Sequence, residues 1–195
     1  MESKFKIPTE TVELPSKGLL YPKDSPIAKG ELEMKYMTAK EEDILTNQNY
    51  ITKGIVIDRL IKSLIVTEGF NYDNLLIGDK NAIMVAARIL SYGPNYEIEH
   101  NGERITVDLS QVENVEINDE DYKNGNKFSI KLPSGNQVEF KLLTHGDEKA
   151  VEREITGLKK IDKNSSPQVT TRLKRMILSV NGSSEVKDIR EFVDK

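Results

Sequence analysis

The chain has no cysteine and no tryptophan, and only 6% of its 195 residues are aromatic. Without cysteine there is no disulfide, no thiol nucleophile and no cysteine-built zinc or iron–sulfur site. That absence suits synthesis in a reducing cytosol, although exported proteins also go without cysteine. A core made without tryptophan falls mainly to Ile, Leu and Val. Long hydrophobic runs are missing too. The apolar segments are amphipathic, none approaches the roughly 20 residues of a membrane span, and Met1 to Thr11 holds no apolar stretch of signal-peptide length. The two histidines, His100 and His145, are far apart and outside any metal-ligand spacing, so solvated or capping roles account for both.

Motifs for chemistry are equally sparse. There is no Gly-x-Ser-x-Gly elbow, no phosphate loop and no Gly-x-Gly-x-x-Gly. Asn118-Asp119-Glu120-Asp121 lacks the alternate ligands, the central Gly and the terminal Glu of a calcium loop, and reads as a solvated turn. Glu41-Glu42-Asp43 falls where a helix dipole welcomes negative charge. Lys159, Lys160, Lys163, Arg172, Lys174 and Arg175 form a basic patch without interleaved aromatics, which disfavours nucleic acid. These readings predict no enzyme, no cofactor, no metal and no small-molecule substrate.

Charge is unevenly spread around a net of −4. Residues 95–125 hold 9 acidic and 2 basic residues, and residues 126–195 hold 14 basic and 10 acidic. The two regions either face each other, face different partners, or are simply solvated.

Periodicity predicts an α+β fold with an extended N-terminal arm. The arm, residues 1–30, carries four of the seven prolines (Pro8, Pro15, Pro22 and Pro26). Its most apolar part, residues 12–22, offers Leu14, Pro15, Lys17, Gly18, Leu19, Leu20 and Tyr21 as a partner-binding segment. Pro15 and Pro22 restrict φ, Gly18 permits a turn, and a segment so broken cannot build its own core. It lies either on a partner, with Leu14, Leu19, Leu20 and Tyr21 filling pockets, or on its own domain.

The main domain follows. Residues 31–94 are a strand from Glu31 to Met37 and then helices. Thr38 and Glu41 make a capping box, Thr52 starts a second helix with Ile57, Leu60, Ile61, Leu64 and Ile65 on one face, and Asp79 caps a third. At Gly93-Pro94 the period changes to two. Residues 95–143 read as an antiparallel β insert with hairpins at Asn101-Gly102 and Ser134-Gly135. Residues 144–195 return to helices: one from Thr144, one opened by Ser166-Pro167 with a stripe from Val169 to Val180, and one from Glu185. No stop signal follows the last, so further residues after Lys195 stay open.

Three stretches carry a resemblance. They are Val12-Glu13-Leu14-Pro15-Ser16-Lys17-Gly18-Leu19-Leu20-Tyr21-Pro22, the run from Glu33 to Leu45, and Val56 to Ile65, with Phe140 to Thr144 and Asp147-Glu148 in support. Together they resemble the baseplate hub subunit family of T-even-type contractile-tailed bacteriophages. The resemblance covers most of the chain and is densest before residue 95. It implies a non-enzymatic protein that binds other baseplate hub proteins while the central hub is built, chaperone-like, in the host cytoplasm; the alternative is a permanent component of the virion baseplate. Some members carry paired cysteines that suggest a zinc ribbon. This chain has none, so that role does not carry over.

Overall fold

A strand at the start of the chain closes onto a strand 22 residues later, and this pairing organises the first half of the molecule. The computed structural model describes residues 7–161 and 167–195. Strand β1 (Thr9–Glu13) runs antiparallel to β2 (Glu31–Lys35), with Thr9 opposite Lys35 and Glu13 opposite Glu31. Strict alternation in β2 buries Leu32 and Met34 and exposes Glu31 and Glu33, as the period-two reading requires. Between the strands the chain is a run of turns, closed by Leu14 N donating to Gly30 O at 2.7 Å.

Helix α1 (Ala39–Leu45) starts from the expected Thr38/Glu41 capping box. A short α2 (Gln48–Thr52) precedes α3 (Val56–Leu64). Thr52 therefore ends a helix rather than starting one, because Gly54, at φ +65°, breaks the chain between the two. The predicted stripe of α3 is narrower than expected: Ile61 and Leu64 are buried, while Ile57 is 40% exposed. Helix α4 (Ile77–Tyr92) begins two residues before Asp79, which places that carboxylate inside the first turn. Strands β3 (Asn95–His100) and β4 (Glu103–Asp108) form the expected hairpin, with Asn101 and Gly102 both at positive φ.

The architecture is α+β, and the chain divides into two compact units, Met1–Phe70 with Gly78–Ile117, and Asn71–Ile77 with Asn118–Lys195. The strands read from residues 95–143 form, but in two separate sheets. In the second unit β5 (Phe128–Lys131) and β6 (Gln137–Phe140) are joined by β7 (Ile177–Val180) in the order β5-β6-β7.

Strand β7 corrects the helix expected through Val180. Helix α6 (Gln168–Met176) stops at Met176 and the chain turns extended at Ile177. The open side of β6 decides this: Met176 O accepts from Lys141 N at 2.9 Å and Gln137 O from Asn181 N at 2.7 Å. Ile177 and Val180 then reach a core shared with Val138 and with Ile189 of α7 (Val186–Asp194), while Val169 is left 71% exposed. Helix α5 (His145–Ile161) buries Val151 and Ile155 in the same unit. The expected Ser166 cap lies outside the described residues.

Candidate protein-binding surface

Residues 12–22 were the sequence's candidate for a partner contact, and the fold divides them. Leu14 and Leu20 are buried, at 2% and 8% exposure, so these two fill this chain's own core instead of a partner's pockets. Lys17 and Leu19 are exposed, and Pro15 and Tyr21 are half-buried. Gly18 is buried at φ +75°, and a Cβ there would meet Ala28 O at 2.3 Å. Only glycine fits that approach.

What fastens the segment is Asp79. Its Oδ1 accepts from Ser16 N at 3.0 Å, and its Oδ2 accepts from Ser16 Oγ at 2.7 Å and from Tyr21 Oη at 2.5 Å. The carboxylate is 1% exposed and sits in the first turn of α4, where the helix dipole favours negative charge. A buried carboxylate needs such donors to offset its desolvation.

Glu41 ties the second stretch to the third in the same manner. It is fully buried and accepts from Lys35 Nζ at 2.8 Å, Ser63 Oγ at 2.6 Å, Thr38 N at 3.0 Å and Thr38 Oγ at 2.5 Å. Burial alone would raise its pKa, but the bonds from Lys35, Ser63 and Thr38 outweigh burial and hold the carboxyl down at about 2.

The first unit also holds a cleft. Its volume is about 380 Å³, and it is lined by Val12 and Pro15, by Ala82, Val85, Ala86 and Ile89 of α4, and by Leu109 and Val112 just after β4. The α4 residues follow a helical stripe, next to the buried one that holds Ile83 and Ala87. The sequence shows Ala82, Ala86 and Ile89 as close-packing positions; their spacing does not reveal that they face a cleft. Glu13 is the charged group on its lining, so the surface offers mainly apolar contact.

The remaining candidates for chemistry stay dispersed. His100 is exposed at the end of β3, and His145 is buried at the start of α5 with its ring 4.7 Å from that of Tyr72. Among the described residues no group of three or more His, Asp or Glu is placed to hold a metal ion. Three cations of the basic patch are engaged: Arg172 binds Glu148 through Nε at 3.1 Å and Nη2 at 2.9 Å, Lys174 pairs with Asp194 at 2.6 Å, and Arg175 with Asp147 at 3.3 Å, while Lys159 and Lys160 are exposed. Lys163 lies outside the described residues. Asp119–Tyr122 is a short 3-10 turn in which the Asn118 side chain accepts from Glu120 N. Among the described residues no helix is long and apolar enough to cross a membrane. Compared with known protein families, curated proteins and solved structures, the chain gives no match.

Proposed function

We propose that this chain is a non-enzymatic baseplate hub protein of a T-even-type contractile-tailed bacteriophage, binding other hub proteins while the hub is assembled. One observation carries the reading. The three stretches on which the resemblance rests, residues 12–22, 33–45 and 56–65, belong to one unit, where Glu41 bonds to Lys35 and Ser63 and β1 pairs with β2. They form parts of one framework, which supports reading them together. In this reading Leu14, Ser16 and Leu20 hold the framework, and Pro15, Lys17 and Leu19 with the adjacent apolar cleft make the contact. Exposed apolar surface rimmed by polar groups suits protein partners.

Co-purification of the tagged full chain with the hub proteins of a T-even-type phage tests the proposal. Retention of at least one hub protein is expected, weakened by Leu19→Asp without loss of folding. Failure to retain any hub protein overturns the reading. Mass spectrometry of mature particles then separates the two roles: stoichiometric presence marks a permanent component, and absence marks an assembly factor.

A further inference from the structure

The β3–β4 hairpin is the least buried element of the first unit: all six residues of β3 and the first four of β4 are exposed. Register sorts its side chains. Tyr96 opposes Val107 and Ile98 opposes Ile105 on one face, while Glu97 opposes Thr106 and Glu99 opposes Arg104 on the other. The apolar face is partly open, with Tyr96, Ile98 and Ile105 at 45%, 37% and 41% exposure and Val107 half-buried.

A two-stranded hairpin is marginal in water by itself, and this one is braced at its base. Arg88 donates from Nη1 to Gly93 O at 2.9 Å and from Nη2 to Asn95 O at 3.2 Å. Its guanidinium lies 5.0 Å from the Tyr92 ring centroid and 5.5 Å from that of Tyr96. Leu109 N closes the base onto Pro94 O at 2.9 Å. The brace orders a hairpin that itself buries little, and such ordering lowers the entropy cost of a later binding event.

We propose that the outer edge of β3 receives an extended segment of a partner protein in which apolar residues alternate with Lys or Arg. The sheet has two strands, so among the described residues no strand covers that edge. A strand added there places alternate side chains on opposite faces of the sheet. Its apolar residues meet Tyr96 and Ile98, and its cations meet Glu97 and Glu99. Charge favours β3 over β4, because on that face β3 carries Glu97 and Glu99 while β4 carries Asp108 offset by Arg104. Charge also disfavours a second copy, since two β3 edges would bring Glu97 and Glu99 against their equivalents. The inference rests on the protein-binding reading above but not on the phage assignment.

The test uses the full chain, isotope-labelled, and two short synthetic peptides, one alternating valine with lysine and the other valine with glutamate. The lysine peptide shifts the backbone amides of β3, and its affinity falls with added salt. The glutamate peptide shifts none. Glu97→Lys, opposite the neutral Thr106, weakens the lysine peptide about threefold to fivefold and admits the glutamate peptide; Glu97→Gln gives a smaller loss. Equal binding of both peptides, shifts confined to β4 or to residues 82–89, or indifference to both variants overturns the proposal. A dimer of the free chain paired through β3 overturns it as well. Failure here leaves the co-purification test standing, since that test reads contacts through any surface.

Discussion

Ser16 and Asp79, 63 positions apart in the chain, are joined by two hydrogen bonds, from the Ser16 amide at 3.0 Å and from its hydroxyl at 2.7 Å. Tyr21 adds a third donor to the same carboxylate. A proline-broken segment that cannot form its own core is thereby fixed to the first turn of α4.

Ser16→Ala removes one donor from a buried carboxylate and is expected to cost about 1.5–3 kcal/mol, the range for bonds to charged groups. Tyr21→Phe removes another and costs a similar amount. Urea unfolding of each single variant and of the double variant checks this. A loss under about 0.5 kcal/mol in both singles would show that the latch contributes little.

Leu20 and Leu19 are adjacent but opposite in burial, at 8% and 37% exposure. Leu20→Ala is expected to cost about 2–4 kcal/mol as a core truncation, and Leu19→Ser under about 1 kcal/mol. Thermal melts of the two variants settle the order. Equal losses would contradict the division of residues 12–22 between core and surface.

Gly18 and Gly102 both lie at positive φ, near +75° and +81°, but only Gly18 faces backbone at close range. Gly102→Ala is expected to cost about 1 kcal/mol of conformational strain. Gly18→Ala adds a backbone collision and should cost several-fold more or abolish folding. Circular dichroism melts of both variants read the contrast.

Glu41 sets a pH dependence. Its folded pKa of about 2 lies below its ordinary 4.5, so the stability it contributes is fully present above about pH 4.5 and is lost as pH falls toward 2. The contribution is roughly 3 kcal/mol at neutral pH. Urea midpoints of the parent chain and of Glu41→Gln, taken between pH 6 and pH 2.5, should converge as the pH drops. Parallel curves would remove Glu41 as the cause.

Local chemistry was legible without the fold. The Thr38/Glu41 capping box, the Asn101-Gly102 turn and the alternation of Leu32 and Met34 each depend on neighbours within a few residues, and each forms as read. The Val169–Val180 stripe predicts helix to its end, but the helix stops at Met176, because the four residues Ile-Leu-Ser-Val can join a helix or a strand equally well. The presence of β6, nearly forty residues away in sequence, made the choice.

The sequence by itself determined the α+β class, the starts of α1, α5 and α7, the two hairpin turns, and the lack of cysteine chemistry, since these follow from composition and from period. Tertiary structure alone decided which apolar residues of 12–22 face inward, that Asp79 and Glu41 each gather donors from separate segments, and that a cleft opens beside α4. Those facts depend on contacts between residues far apart in the chain, and spacing within one segment carries no record of what the rest of the fold brings against it.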